Sequence, residues 1–475
     1  MTIKQAWWWT VCLGLGLLAM PVAPAAQTNG MVRWGGDFRV REEHFDYIPI
    51  KADPPGYTRG GENDYLRIRP RLWMEVDPGR DLTLRVRLAD EMRLWNKPSP
   101  RPTLQRSNYD PPDEILFDNL YLDWRNLAHD RLDLRLGRQD LMYGNGRLIM
   151  DGTPKDGSRS LYINALKATW KDIPATTVDF LAIYDPSIDP IALNSADRDV
   201  TGFTAANDAM DESGGGFYIK NRSFQDMPVE LYALYKRESP YDLAAKKDAA
   251  GNFVAPKLAW QSLDSTQGVI NNPALNLGTF GFRIEPRLTK RLTANVEAAV
   301  QVGERNGVGV GAYMLDIGLT NTLPVLESLK PAVFACFYLL SGDDPKTGHD
   351  EGWNPLWSRW PQNSELYVYG YDADGAGRWS NLIMPTLGAC CSPCDWLVTS
   401  VSGSYLAAPA ADGPGGGHER GWMGIMNGTF TVGRGWLTQN DVIRGHLLLE
   451  LIRPGDYYKV GDTSYFLRWQ LSYEF

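Results

Sequence analysis

The chain has 475 residues, a formal net charge of −9, 43% hydrophobic residues and 22% charged residues. Such a composition is typical of a folded protein and excludes a chain that is disordered throughout. The acidic balance disfavours nucleic acid as a partner, because a nucleic-acid binder needs a basic face.

The first 25 residues have the organisation of a signal peptide. Lys4 supplies a positive charge, residues 6–20 form an apolar run, and Ala23-Pro24-Ala25 matches a cleavage site with small residues. A membrane anchor is the alternative, but the run is shorter than the ~20 residues that a spanning helix needs. No later stretch reaches that length, so the exported chain is either soluble or crosses a membrane with strands.

Strand-like alternation dominates the rest of the sequence. Between Tyr65 and Val76, apolar side chains alternate with a face that carries Arg67, Arg69 and Arg71. The same alternation recurs in residues 82–88, 292–302 and 464–475. These runs are about ten residues long, which is the length of a strand that crosses a bilayer at a tilt. Strands of soluble proteins are usually shorter.

A full set of strands follows from this pattern. Besides strands that begin near residues 65, 82, 292 and 464, we predict strands that begin near Arg33, Ile115, Arg131, Leu161, Thr177, Gly216, Val229, Leu275, Val310, Pro331, Glu365, Trp396, Gly421 and Gly445. Short turns such as residues 77–80 alternate with long polar loops such as residues 187–215. We therefore predict an all-β fold, in which residues 31–475 form a single domain. This domain is a transmembrane antiparallel up-and-down β-barrel of about 18 strands, within a range of about 16–20.

The last predicted strand carries a second signal. Trp469, Leu471, Tyr473 and Phe475 lie on one face of it, and the sequence ends on the aromatic Phe475. This strand resembles the terminal strand by which bacterial outer-membrane proteins are recognised for assembly. We therefore predict a location in the bacterial outer membrane, contact with outer-membrane lipid and recognition by the barrel-assembly machinery.

The parity of the strands directs a row of arginines into the lumen. If the apolar faces meet lipid, the inner faces carry Arg39, Arg41, Arg67, Arg69, Arg71, Arg85 and Arg87. Inside a low-dielectric tube such charges concentrate anions, so we predict that these residues line the pore and bind anions. The alternative is that they pair with the lumenal acids Asp37, Glu75, Glu91, Asp133 and Asp179 and only brace the wall.

Three motifs in order suggest a family. Residues 134–139 read Leu-Arg-Leu-Gly-Arg-Gln, and Tyr143-Gly144, Arg147-Leu148 and Ser158-Arg159-Ser160 follow. Ile68-Arg69-Pro70 precedes an aromatic strand, and Ser341-Gly342-Asp343 precedes Trp353-Asn354-Pro355-Leu356. Together with the last strand, this ordered set resembles the alginate export family of outer-membrane porins.

The resemblance implies a monomeric barrel of about 18 strands that passes an anionic polyuronate through an arginine-lined constriction. It implies Arg138 and Arg69 as constriction residues, joined by Arg39 or Arg41, and it adds Arg135 to the pore-lining set. Strict alternation in this strand aims Arg138 at lipid, so the resemblance requires a bulge at Gly137. Asp118 stands where the family carries arginine, which leaves the identity of the ligand open.

Catalytic and cofactor patterns are weak. The five histidines are scattered along the chain, and no Gly-x-Ser-x-Gly motif or other nucleophile with a nearby base is evident. We therefore predict that the protein is not an enzyme and has no cofactor or metal. Loop acids at Asp343-Asp344 and at Asp372 and Asp374 could bind Ca²⁺, although a solvated turn is favoured.

The cysteines suggest a disulfide. In an oxidising compartment we predict a bond between Cys390 or Cys391 and Cys394, and a free thiol at Cys336.

These features predict an outer-membrane channel that passes an anionic polysaccharide or oligosaccharide, with periplasmic export or synthesis proteins as partners. Two alternatives stay open. One is a substrate-specific uptake porin for acidic sugars. The other is a barrel with a plugged lumen that serves as an adhesin or scaffold.

Overall fold

The structure is a computed structural model, and it describes residues 31–46, 63–96, 109–110, 115–150, 162–187, 189, 191, 210–244, 253, 261–358, 362–372, 379–458 and 461–475. The predicted signal peptide at residues 1–25 and the Ser158-Arg159-Ser160 motif lie outside these residues. Within them, no helix is long and apolar enough to cross a bilayer.

Eighteen antiparallel strands form one closed barrel. The first nine are β1 Val32–Asp46, β2 Asn63–Gly79, β3 Leu82–Ala89 continued by Met92–Trp95, β4 Tyr109–Asp110 continued by Leu116–Asn126, β5 Leu132–Gln139, β6 Ile163–Trp170, β7 Thr176–Asp185, β8 Glu212–Asn221 and β9 Val229–Glu238. The second nine are β10 Leu275–Ile284, β11 Leu292–Arg305, β12 Val308–Thr322, β13 Ala332–Leu340, β14 Leu382–Cys394, β15 Leu397–Ala407, β16 Glu419–Arg434, β17 Val442–Pro454 and β18 Ser464–Glu474. Each strand pairs with the next, and β1 pairs with β18, which closes the barrel.

The predicted barrel is confirmed, and sixteen predicted strand starts lie within four residues of the observed ones. The start predicted near Ile115 lies one residue before Leu116, where the longer part of β4 begins. The strand predicted near Glu365 is wrong, because the strand after β13 begins at Leu382. Residues 364–368 alternate as a strand does. However, the backbone N–H groups of Glu365 and Leu366 donate to the carboxylate of Glu450 rather than to a neighbouring strand. The segment continues as a π-helical turn at Tyr367–Asp372.

The outer face of the barrel is apolar. Leu136, Val401 and Leu387 expose 59%, 58% and 70% of their surface there. Successive side chains of a strand point to opposite faces, so the polar residues between them point into the lumen. An exposed apolar band of this kind is typical of a surface that lies against lipid.

Short turns join the strands at one rim and long loops join most of them at the other. In the short turn at Leu127–Asp130, Ala128 and His129 have positive φ, and Glu327–Leu329 forms a 3-10 turn in another short connection. At the long-loop rim, a separate small sheet contains Tyr241–Ala244, Val269–Asn272 and Ser262–Asp264.

The disulfide predicted near the end of β14 is wrong. Cys390, Cys391 and Cys394 are free thiols, as is Cys336. Cys390 and Cys391 are adjacent in β14, so their side chains point to opposite faces of the strand. Cys391 Sγ lies 3.3 Å from Thr399 Oγ1 on β15 and forms no disulfide. Cys394 follows Cys391 by three residues, and three extended residues span about 10 Å, which exceeds the Cα separation that a disulfide bridges.

Candidate functional site: an arginine wall inside the barrel

Three neighbouring strands bring basic side chains to one stretch of the inner wall. β1 and β2 pair so that Arg39 lies opposite Arg69 and Arg41 lies opposite Arg67. We call these four residues and Arg468 of β18 the arginine wall. Like charges at opposed positions repel each other, so this arrangement needs carboxylates between the guanidinium groups.

Glu43 of β1 is the first of these carboxylates. It accepts hydrogen bonds from Arg41 Nη1 at 3.2 Å, from Arg67 Nη1 at 3.0 Å and from the Tyr65 hydroxyl at 2.7 Å. It also pairs with Arg468, which lies opposite it on β18. The Glu43 side chain is 1% exposed, so three guanidinium groups converge on one buried carboxylate.

Glu91 is the second carboxylate, and it lies where β3 is interrupted. It pairs with Arg67 at 2.9 Å, with Arg93 at 2.9 Å and with Arg39 at 3.4 Å. Arg67 and Arg93 lie opposite each other on β2 and β3, so the interruption places a carboxylate between these two like charges and within reach of Arg39.

Asp37 is the counterion nearer the short-turn rim. It accepts hydrogen bonds from Arg69 Nη2 at 2.9 Å and from Arg71 Nε at 2.7 Å. Further along the row, Arg85 donates to Glu75 at 2.5 Å. Charge-assisted bonds of this kind hold a long side chain in one orientation.

Asp118 belongs to the same row. The register of β4 shifts opposite Arg87, and this bulge directs the Asp118 carboxylate to Arg87 Nε at 2.6 Å. Arg87 also pairs with Asp140 at 2.7 Å. The residue that departs from the alginate-family pattern is therefore a counterion of the arginines.

Arg135 and Arg138 differ in their surroundings. Arg135 pairs with Asp123 at 3.0 Å on the inner face of β4. Arg138 pairs with Asp189 at 2.8 Å, and its guanidinium lies 3.5 Å from the ring centroid of Tyr162. Burial opposes the charged form of Asp189, but the positive charge of Arg138 and the hydrogen bonds from Arg138, the Ile191 amide and the Tyr162 hydroxyl together outweigh it and lower the pKa of Asp189.

The bulge predicted at Gly137 is absent. Residues 136–138 pair in unbroken register with both β4 and β6. Gly137 instead has a φ of +126°, which glycine adopts without strain. Arg138 lies opposite Asn164, and its side chain is enclosed by Asp189 and Tyr162 although it follows the parity of the outward-facing Leu136.

Loop segments pack inside the barrel on the side opposite the arginine wall. In residues 140–150, the Tyr143 hydroxyl donates to Asp179 at 2.9 Å and Arg147 pairs with Asp316 at 2.7 Å. In residues 341–358, the carbonyl of Leu356 accepts a hydrogen bond from Lys236 Nζ at 2.9 Å. A parallel bridge between Ile149 and Trp357 joins the two segments, which narrow the lumen from this side.

A third segment, residues 362–372, reaches the arginine wall itself. Glu365 Oε1 accepts a hydrogen bond from Arg468 Nη1 at 2.7 Å. Glu450 of β17 accepts the Ser364 hydroxyl at 2.7 Å, and the hydroxyl groups of Tyr371 and Ser464 lie 2.5 Å apart. This segment therefore follows the inner face of β17 and β18.

The wall is thus both basic and compensated. Arg41, Arg39 and Arg67 are 1%, 2% and 3% exposed, and each pairs with a carboxylate. Anion binding by the predicted arginines stays a prediction, because the observed ion pairs also fit the bracing role. The parity of β18 places Arg468 inside the barrel, but neither Arg468 nor Glu365 is among the residues that the sequence predicts to bind anions.

Metal-binding geometry does not emerge among the described residues. They contain no group of three or more His, Cys, Asp and Glu side chains that could hold a metal ion. Of the loop acids considered for Ca²⁺, Asp374 lies outside the described residues.

No protein-family model matches the sequence, and no curated protein matches it. Solved structures do. A BenF-like porin from Pseudomonas fluorescens Pf-5 superposes with a TM-score of 0.57 at 10% identity, over 93% of this chain and 98% of that one. The fold is a porin fold.

Two further porins, both from Pseudomonas aeruginosa, agree. OpdL has a TM-score of 0.55 at 12% identity, over 94% of this chain and 98% of its own. OccK2 (OpdF), solved in complex with glucuronate, has a TM-score of 0.54 at 10% identity, over 96% of this chain and 98% of its own. None of these three proteins is an alginate exporter, so the resemblance to that family is supported only as a porin-like barrel.

Proposed function

We propose that this protein is an outer-membrane porin for the uptake of small acidic solutes, such as sugar acids. The arginine wall carries the proposal, because three adjacent strands hold its guanidinium groups in fixed positions inside the lumen. Guanidinium groups bind carboxylates with two parallel hydrogen bonds, and a low-dielectric lumen strengthens that attraction. Guanidinium groups of this kind can bind an acidic solute and release it without changing it chemically, as transport requires.

The size of the solute is argued from the inserted segments. Residues 140–150, 341–358 and 362–372 pack against the inner wall and take up room that a polymer chain would need. This favours a small acid over an exported polysaccharide. The glucuronate complex of a structurally similar porin supports the same class of solute by analogy of fold.

The outer-membrane location is argued from the apolar outer face, which suits lipid and not water. Contact with outer-membrane lipid, assembly by the barrel-assembly machinery and a monomeric state belong to the same proposal. Periplasmic synthesis or export proteins would be partners only of a polysaccharide exporter.

Ion selectivity in planar bilayers tests the proposal. We expect the reversal potential in a salt gradient to show anion preference, and we expect glucuronate to reduce chloride current. Arg67→Gln should weaken both effects, because it leaves Glu43 and Glu91 less compensated. Arg444→Gln is the matched control, since Arg444 is half exposed and pairs with Glu474 at the short-turn rim.

Each other outcome has a meaning. A cation preference of the unmodified protein would overturn the proposal. Negligible conductance would favour the plugged adhesin or scaffold. Swelling of liposomes in long oligouronates, and not in glucuronate, would favour the polysaccharide channel.

A further inference from the structure

Among the described residues, the guanidinium of Arg468 holds two carboxylates of different origin. Nη2 pairs with Glu43, which belongs to the wall strand β1. Nη1 donates at 2.7 Å to Glu365, which belongs to the inserted segment at residues 362–372. One half of the guanidinium is therefore anchored in the barrel, and the other half holds a side chain from a loop.

The Glu43 carboxylate, which anchors Nη2 of Arg468, has little freedom to move. Glu43 also accepts hydrogen bonds from Arg41, Arg67 and Tyr65, and its side chain is almost wholly buried. Moving it would leave several buried donors without an acceptor, which is costly. Arg468 thus presents Nη1 at a position that the wall determines.

The inserted segment that carries Glu365 is held in place differently. The backbone of the segment is held by Glu450, which accepts the N–H groups of Glu365 and Leu366 and the Ser364 hydroxyl. The bond between Glu365 and Arg468 can therefore break by rotation of the Glu365 side chain without release of the backbone, which Glu450 keeps in place.

We propose that Glu365 is an internal occupant of a carboxylate subsite at Arg468, and that the carboxylate of a transported solute displaces it. This inference rests on the proposed uptake of acidic solutes. The exchange replaces one carboxylate by another, so the buried guanidinium keeps a counterion throughout.

The exchange sets the apparent affinity of the channel. A side chain tethered beside its partner competes at a high effective concentration, so the apparent affinity for an external carboxylate falls below the intrinsic one. Removing the internal competitor should strengthen binding of glucuronate about tenfold, the change that corresponds to about 1.4 kcal/mol.

The test compares Glu365→Gln with the unmodified protein, with glucuronate as the probe and block of single-channel chloride current as the readout. We expect Glu365→Gln to lower the half-blocking glucuronate concentration about tenfold, and to raise chloride conductance. Glu351→Gln is the matched control. Glu351 lies in the same connection between β13 and β14, but its carboxylate accepts a hydrogen bond from Thr347 and does not pair with Arg468. It should change neither quantity.

The outcomes separate this inference from the proposed function. If the protein is anion-selective but Glu365→Gln leaves the half-blocking glucuronate concentration unchanged, the subsite is overturned and the uptake proposal stays intact. A cation-selective unmodified protein overturns both. If Glu365→Gln does not fold, as judged by heat-modifiable migration, Glu365→Asp replaces it. Its shorter side chain should shift the block in the same direction, and an unchanged block then overturns the subsite.

Discussion

The Tyr473 hydroxyl of β18 donates a hydrogen bond of 3.0 Å to Asp441 Oδ2 in the turn that precedes β17. Asp441 also accepts the backbone N–H groups of Trp436, Leu437 and Thr438. A single carboxylate therefore organises the turn and ties it to the last strand. Tyr473 is one of the predicted assembly-signal residues, and this bond gives it a structural role as well.

Asp441→Ala should destabilise the barrel by about 2 kcal/mol, because several backbone donors lose their acceptor. Tyr473→Phe removes only one of the four bonds and should cost about 1 kcal/mol. Urea unfolding in liposomes, followed by tryptophan fluorescence, measures both. Equal stability of Asp441→Ala and the unmodified protein would show that the turn does not depend on this carboxylate.

The segment at residues 341–358 should respond to pH. Asp350 is docked against β12 by two backbone hydrogen bonds, from its own N–H to Gly309 and from the N–H of Gly311 to its carbonyl. Burial and the negative charge of Asp343 raise the pKa of Asp350 to about 6. A raised carboxyl pKa means that the docked state is favoured when the group is protonated. Docking should therefore be tightest near pH 4 and weaken as the pH rises through about 6.

The expected weakening is of order 2 kcal/mol after allowance for solvent. Hydrogen exchange of the Gly311 amide, corrected for its intrinsic pH dependence, should be slower at pH 5 than at pH 7. Asp350→Asn should abolish the difference. Protection that rises between pH 5 and pH 7 in the unmodified protein would contradict the assignment.

Much of the fold could be predicted because alternation is a strong signal over ten residues. The parity of residues 464–475 assigns Leu467 and Leu471 to the outside and Arg468 to the lumen, as the structure shows. The same rule fails at Glu365, because a short alternating stretch inside the barrel looks the same as a strand. The backbone N–H groups of Glu365 and Leu366 donate to the Glu450 carboxylate. This is a tertiary contact, which no local sequence pattern reveals.

The candidate site could be predicted in part. Parity places the arginines of β1 and β2 inside, but it does not reveal which carboxylate each one meets. Glu91 reaches three arginines only because β3 is interrupted, and Asp118 reaches Arg87 only because β4 is bulged. Such irregularities depend on pairing between strands and are absent from any single alternating run.

The charge balance of the wall should be adjustable at Asp37. Asp37→Asn removes the acceptor that Arg69 and Arg71 share, so the lumen becomes more positive at this level. The ratio of chloride to potassium permeability, measured from reversal potentials, should rise roughly twofold at low salt and less at high salt. Asp395→Asn is the matched control, because Asp395 is fully exposed in a short turn. A rise of the same size in both variants would mean that total charge, and not the wall, sets selectivity.

Gly137 should resist substitution for two separate reasons. Its φ of +126° is strained for any residue with a side chain, and a Cβ atom there would lie 2.2 Å from the carbonyl oxygen of Leu120. Gly137→Ala should therefore cost at least about 3 kcal/mol and displace Arg138 from Asp189. Gly403→Ala is the matched control, since Gly403 lies in β15, where a Cβ atom would meet nothing within 4 Å and should change stability little. If urea unfolding gives the two variants the same stability, the unbroken register across Gly137 tolerates a side chain, and the glycine does not determine how Arg138 is placed.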